Sequence, residues 1–266
     1  MKIQSIIAVC ICLLFATALN AQILFTESYS VILDSTSTVK GSILPGFKYQ
    51  NQRETLIEIE NQADLSVRIK DNAITFANQI AISRFGSETI LSGGYVYSEF
   101  RHFYDKAFTT EYYAQVHWAE ARGMERKYAA GVNARWRLHK SKDFGLFVGI
   151  GPFYEYEKWN YDGISDTDKI PANDDPREQE NVKLGSYISL KYNPIDQLST
   201  DISLYHQARF DELVNEPRLA SSARIRYNFT SHLGLALTHQ LIYDPAPIVP
   251  IDNLFQKLDL GLSITF

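Results

Sequence analysis

Hydrophobic and polar side chains alternate one by one along most of this chain, and the pattern is clearest at its end. Between Leu254 and Phe266 one set of alternate positions is almost entirely apolar, and the other set is mostly polar or charged. Successive side chains of a β-strand point to opposite faces, so this segment predicts one strand with an apolar and a polar face. A closing strand of this kind, ending on a phenylalanine, is typical of an outer-membrane β-barrel.

The same period of two predicts twelve strands from residue 39 onward. They run over residues 39–49, 54–69, 73–83, 88–103, 108–121, 126–139, 143–159, 181–192, 197–207, 218–229, 231–243 and 253–266. An even number of strands places both ends of a barrel on the same side of the membrane. The predicted fold class is all-β, a single antiparallel up-and-down transmembrane β-barrel of about twelve strands.

The predicted connections are sorted by length between the two ends of the barrel. The second, fourth, sixth, eighth and tenth contain one to four residues, whereas the seventh, ninth and eleventh, near 160–180, 208–217 and 244–252, are long. A barrel with its termini in the periplasm has short turns there and longer loops outside. A soluble barrel has no reason to sort its loops in this way, so the asymmetry favours a membrane protein.

The apolar faces carry no charge where a bilayer would lie. Along 128–138 and 233–243 the apolar set contains no Asp, Glu, Lys or Arg. In a soluble barrel the polar set would face water and the apolar set would face the interior. The period of two alone does not distinguish this inverted arrangement from a membrane barrel. Aromatic belts at two depths favour the membrane. The upper belt is Trp118, Tyr128, Tyr154, Tyr156 and Tyr243, and the lower belt is Trp136, Tyr192, Tyr227, Phe229 and Phe266.

The N-terminus and the composition indicate where the protein is located. A short positive start followed by an apolar run predicts a secretory signal peptide over 1–21, with 22–38 as a short periplasmic segment before the barrel at 39–266. Both cysteines, Cys10 and Cys12, lie in the signal, so the mature chain has no disulfide or cysteine nucleophile. The net charge of −5 provides no basic stripe for nucleic acid. We expect an exported protein of the outer membrane of a Gram-negative bacterium.

Several segments resemble a known family in their order and spacing. They are Gly46-Phe47-Lys48-Tyr49, Glu54-Thr55-Leu56, Arg122-Gly123-Met124, Ala130-Gly131-Val132, the run from Gly149 to Trp159, and Pro247-Ile248-Val249-Pro250-Ile251-Asp252-Asn253 with the final strand. Together they are similar to the outer-membrane β-barrel family catalogued as domain of unknown function 481, in its Bacteroidetes-type form. That family is similar to acid-inducible outer-membrane proteins of enterobacteria. The resemblance implies a barrel without a settled biochemical role and supplies no catalytic residues.

Charged side chains on the polar faces are the first candidates for function. The candidates for the lumen are Glu58, Glu60, Asp64, Arg68, Arg135, Arg137, Glu155, Glu157, Arg224, Arg226, Lys257 and Asp259. Twelve strands enclose a narrow space, so the two signs are expected to neutralise each other and fill it. A narrow pore, or a barrel that binds a small polar solute, is the alternative. The face of Tyr95, Tyr97, Glu99 and Arg101 cannot be assigned from the pattern.

A second candidate site lies on the predicted outer face. A tight turn at Thr230 would put Ser221 almost opposite His239, with His206 on its other side. A histidine that activates a serine hydroxyl near the outer leaflet is the layout of a lipid hydrolase. The sequence offers no Asn, Asp or Glu placed to orient the histidine, so catalysis by these residues is an alternative only.

The sequence therefore predicts an integral outer-membrane barrel of unknown biochemical role, non-enzymatic and either structural or related to envelope stress. No cofactor and no metal site is predicted. The expected partners are outer-membrane lipid and the barrel-assembly machinery, which would recognise the strand from Leu258 to Phe266, and no nucleic acid is expected. The oligomeric state is left open. A soluble periplasmic β protein is the rival class.

Overall fold

The computed structural model describes residues 38–51, 55–164 and 166–265, which form a closed antiparallel barrel of twelve strands. Each strand pairs with its neighbours in sequence, and β12 closes onto β1 at Ser42 and Ile43. The predicted fold class and strand number are confirmed, whereas the predicted signal peptide lies outside the described residues. The strands are β1 Val39–Asn51, β2 Thr55–Ile69, β3 Asn72–Phe85, β4 Glu88–His102, β5 Phe108–Ala119, β6 Met124–Lys140, β7 Phe144–Trp159, β8 Arg177–Ile195, β9 Leu198–Arg209, β10 Arg218–Asn228, β11 Leu233–Tyr243 and β12 Leu254–Thr265.

The eighth strand departs most from its predicted bounds of 181–192. Its polar start, Arg177 to Glu180, pairs with the upper end of β7, and its end runs on to Ile195 past a register shift after Tyr192. Pro194, which lacks a backbone N–H, lies within that shift. A polar strand start and an internal proline both look like loop in a sequence, which explains the shorter prediction.

The two ends of the barrel differ as the connection lengths predict. We call the end where β1 begins and β12 finishes the lower end, and its connections contain two to five residues. The long connections 160–176, 210–217 and 244–253 all lie at the upper end. Two single-turn 3-10 helices, Glu120–Arg122 and Thr167–Lys169, belong to upper connections. Among the described residues, no helix is long and apolar enough to cross a membrane.

The barrel is apolar outside and polar inside. Leu204 is 54% exposed on the outer surface, whereas Lys127 and Glu155 in the lumen are 1% and 2% exposed. A water-soluble barrel has the opposite polarity, so this arrangement is that of a transmembrane β-barrel and the inverted alternative is excluded. Most of the predicted belt residues, such as Tyr154 and Trp136, face outward and are exposed, and Phe266 lies outside the described residues.

Candidate functional site

A cluster of buried charges crosses the upper part of the lumen, and we call it the upper cluster. Glu155 accepts hydrogen bonds from Lys127 and Lys183. Arg218 on β10 donates to Glu157 on β7 at 3.2 Å, three strands away, so this contact crosses the lumen. The cluster carries three basic and three acidic groups, which balance. Its members are Lys127, Glu155, Glu157, Lys183, Arg218 and Asp244.

A second group of contacts, the middle cluster, joins β4, β5, β6 and β8. Arg101 Nε lies 2.7 Å from Glu99 and 2.9 Å from Glu111, and Arg135 Nε lies 3.2 Å from the same Glu111 carboxylate. The Tyr187 hydroxyl donates to Glu111 at 2.8 Å across three strands. Glu111 is 1% exposed and has charged or hydroxyl partners on three sides, which is the condition under which a buried carboxylate is tolerated.

The third group, the seam cluster, lies near the closure of β1 and β12. Arg224 Nη1 on β10 lies 3.8 Å from Asp64 on β2, four strands away by the shorter route. The Ser42 hydroxyl donates to Asp64 at 2.6 Å, and Arg226 donates to the Ser42 oxygen at 3.1 Å. Each of these three groups of contacts joins strands that are not neighbours, so side chains meet across the lumen in its upper half and in its lower half.

Buried tyrosines fill the space between the clusters. Tyr95, Tyr97, Tyr187 and Tyr205 form one packed group inside the barrel, which assigns the ambiguous face of β4 to the lumen. A cavity of about 20 Å³ remains beside Tyr187 and Tyr205, which is room for one water molecule. The packed rings therefore leave little free space beside Tyr187 and Tyr205.

Gly149 makes room for one of these rings. A Cβ atom at this position would lie 2.2 Å from the Tyr187 ring, so any side chain must displace the ring that bonds Glu111. We expect Gly149→Ala to lower the free energy of unfolding by about 1–3 kcal/mol through overpacking. Urea unfolding followed by tryptophan fluorescence measures the change. Gly185→Ala is the matched control, because its Cβ would meet Phe153 at an ordinary 3.4 Å, and equal effects of the two variants would contradict this account.

The structure brings some of the predicted lumen residues together and leaves others apart. Asp64, Arg135, Glu155, Glu157, Arg224 and Arg226 belong to the three clusters. Glu58 pairs instead with Lys48 near the upper rim, where Glu60 is exposed. Lys257 and Asp259 pair with each other along β12 at 3.0 Å. Arg68 is half-buried near the lower end, where Arg137 donates to the Tyr104 carbonyl.

Sequence reasoning missed several cluster members. They are Lys127, Lys183, Arg218 and Asp244, while Glu99 and Arg101 lie on the face that the pattern left unassigned and Glu111 lies on a polar face without being singled out. Lys127 shares the parity of Arg135 on β6, and Lys183 has the opposite parity to the belt residue Tyr192 on β8, so strict alternation could have found both. Arg218 stands at a strand end and Asp244 in a predicted loop, and they meet at 2.8 Å because the register of β10 and β11 puts Leu219 opposite Tyr243.

An apolar cap covers the upper mouth above the upper cluster. Met124, Trp159, Tyr161 and Val249 are buried together there, and isoleucines of the long connections pack against them. Val249 belongs to the Pro247–Asn253 segment that carried part of the family resemblance, and it is 1% exposed. The last long connection is therefore folded over the mouth rather than extended into solvent.

The outer-face serine and histidines do not form the predicted pair. Ser221 stands opposite Leu241 and Leu204, while His239 stands opposite Ala223, so the prediction of a Ser221–His239 cross-strand pair is wrong. The connection between β10 and β11 spans four residues rather than Thr230 alone, which moves the register by two. His206 Nε2 lies 3.0 Å from the Leu213 carbonyl, and no hydrogen bond joins Ser221 to either histidine in the described ranges. The hydrolase alternative thereby loses its geometric basis.

These features define a transmembrane β-barrel whose lumen is crossed by contacts between its own buried side chains. The chain belongs to the family described as "Protein of unknown function, DUF481", whose model matches residues 89–249, more than half of the chain. The family resemblance stated from the sequence is therefore confirmed, and no functionally curated protein matches the chain.

Solved structures with a similar course of the chain include two porins. The NanC porin is 11% identical with a TM-score of 0.42, over 86% of this chain and 98% of that one. The KdgM porin, solved in complex with disordered oligogalacturonate, is 7% identical with a TM-score of 0.43, over 86% and 99%. The Pseudomonas putida toluene transporter TodX is 8% identical with a TM-score of 0.35, over 84% and 78%.

Proposed function

We propose that this protein is a non-enzymatic, integral barrel of the outer membrane of a Gram-negative bacterium, with a structural or envelope-stress role and a closed lumen. The observation that carries the proposal is the set of polar contacts that span three or four strands across the interior, such as Arg218–Glu157 and Arg224–Asp64. A barrel that conducts solutes needs a water-filled lumen, whereas these contacts and the buried tyrosines occupy the interior.

The proposed location draws on the polarity of the surface and on the predicted signal peptide. Outer-membrane lipid would contact the apolar belt, and the barrel-assembly machinery would engage the last strand, from Leu258 to Phe266. Fractionation of cells that express the full chain should recover it in the outer membrane, and mass spectrometry should find a mature protein that starts at Gln22. Recovery in the soluble periplasm would contradict the proposal.

We expect the purified barrel to be silent in a planar lipid bilayer, because polar contacts and packed rings block the lumen at several heights. Single-channel recording across a bilayer tests this directly. Heat-dependent migration on gels and flotation with liposomes serve as controls that the protein is folded and inserted. Well-defined, reproducible openings from protein that passes both controls would contradict the closed lumen.

The distribution of charge favours a second candidate, a narrow pore or binding lumen for a small anionic solute. Among the described strand residues that point inward, eight basic groups but only four acidic groups lie in the lower halves of their strands. The basic groups are Lys40, Arg68, Arg101, Arg135, Arg137, Lys191, Arg224 and Arg226, and the acidic groups are Asp64, Glu99, Glu111 and Asp201. If openings occur, the reversal potential in a salt gradient should indicate anion selectivity.

A further inference from the structure

Arg122 lies at the upper mouth of the barrel, above the upper cluster. It ends the 3-10 turn Glu120–Arg122 between β5 and β6. Its guanidinium carbon lies 4.9 Å from the ring centroid of Phe255 on β12, which is five strands away from β5. The side chain therefore reaches across the opening of the lumen.

The guanidinium of Arg122 has no hydrogen-bond acceptor among the residues that the structure describes. Its Nε, Nη1 and Nη2 atoms are all buried without a partner. Glu157 and Asp244 attract the group, but Arg218 already donates to both carboxylates. Burial lowers the pKa of Arg122 to about 10, so the side chain still carries its charge at neutral pH. A buried cation in this condition is unfavourable until an acceptor reaches it.

A neighbouring donor at the same mouth is also unused. Trp159 pairs with Met124, two residues beyond Arg122, and its Nε1 is buried without a hydrogen-bond partner in the described part of the chain. Arginine and the indole of tryptophan donate hydrogen bonds only. The upper cluster is neutral by itself, so Arg122 adds one uncompensated positive charge. Both facts favour an anion with acceptor oxygens over a cation or an apolar ligand.

We propose that Arg122 anchors a binding site for a small oxyanion, a carboxylate or phosphate group, at the upper mouth of the barrel. The planar guanidinium can donate two parallel hydrogen bonds to such a group, while the Phe255 ring packs against the guanidinium. The backbone of Gly163 lies against that of Arg122, so the connection between β7 and β8 packs beside the residue that anchors the site. The site does not depend on whether the lumen conducts, so a test that contradicts the closed lumen would leave the oxyanion site untouched, and the reverse also holds.

Calorimetric titration of the full-length, detergent-solubilised barrel with sodium acetate and with sodium phosphate tests the site, at constant chloride concentration. We expect saturable binding of at least one of the two oxyanions to the wild-type protein. Arg122→Gln should weaken that binding by at least about tenfold, the effect of losing hydrogen bonds to a charged group. Arg126→Gln is the matched control, because Arg126 is exposed on the adjacent strand and should leave the affinity unchanged.

A stability measurement distinguishes an anion site from a structural role of the same arginine. In buffer without oxyanions, Arg122→Gln should be at least as stable as the wild-type protein, because it removes a buried charge that has no hydrogen-bond acceptor among the described residues. Destabilisation or misfolding of this variant would show that Arg122 is paired within the protein and would overturn the proposal. Absence of saturable binding by the wild-type protein, or equal binding by Arg122→Gln, would overturn it as well.

Discussion

Replacing Glu155 with glutamine should lower the free energy of unfolding of the barrel by about 3–5 kcal/mol, the loss typical of breaking a buried ion pair on one side. Glu155 is 2% exposed, and both Lys127 and Lys183 donate hydrogen bonds to it, with Arg218 3.4 Å away. Glutamine keeps the shape but removes the negative charge, so three buried cations would face only two remaining carboxylates.

Urea unfolding of the inserted barrel, followed by tryptophan fluorescence, measures this loss. Glu178→Gln is the matched control: Glu178 lies on the neighbouring strand, is 54% exposed, and sits 3.6 Å from Lys158, so its pair should contribute at most about 1 kcal/mol. Adding Lys183→Met to Glu155→Gln should recover part of the stability, since it removes one excess cation. If Glu155→Gln has no larger effect than the control, the upper cluster is hydrated and the lumen is not closed there.

The strands and their faces follow from the sequence because a membrane barrel imposes one simple rule on each of them. Lipid excludes charge from the outer face, so outward residues such as Leu235 and Leu237 are apolar, and the lumen takes the polar residues. Turns at the lower end are short and sharply bounded. Strand number, the sorting of loops and most faces were therefore predictable from local pattern, whereas the face of β4 was not.

The composition of the site was less predictable because it depends on contacts between distant strands. Tyr97 and Tyr187 look like belt residues in a sequence, yet they fill the lumen, where glycines such as Gly149 leave space for them. Arg218 and Asp244 each lie at the edge of a strand, and their contact requires the exact stagger of β10 and β11. Alternation assigns a face to a residue but does not assign its partner.

The outer-face candidate shows how sensitive such partners are to turn length. A turn centred on Thr230 would pair Ser221 with His239, whereas the observed connection of four residues pairs Ser221 with Leu241. Both registers keep every apolar side chain on the lipid side, because a shift of two preserves the alternation. Burial therefore does not distinguish the two registers. The turn does, and in this turn the backbone N–H groups of His232 and Leu233 donate hydrogen bonds to Thr230 Oγ1.

Leu237→Arg should destabilise the inserted barrel by about 2–4 kcal/mol, because it places a charge on the lipid face near the middle of a strand. Leu237 stands at the centre of β11, exposed on the outer surface between Ile225 and Leu260, which are also apolar and exposed. No lumen residue is touched by this change, so any loss of stability arises from the contact with lipid. Reversible urea unfolding in liposomes gives the free energy.

Leu233→Arg on the same strand and the same face is the matched control. Leu233 begins β11 at the lower end, about 13 Å along the strand from Leu237, where the side chain can reach the interface. We expect a loss of only about 0–1 kcal/mol there, since the penalty for a charge falls steeply with distance from the midplane. If the two variants lose the same free energy of unfolding, Leu237 does not lie closer to the bilayer midplane than Leu233. A neutral Leu237→Arg would mean that the apolar outer surface does not face lipid at all, which would contradict the transmembrane fold on which the closed lumen and the oxyanion site are built.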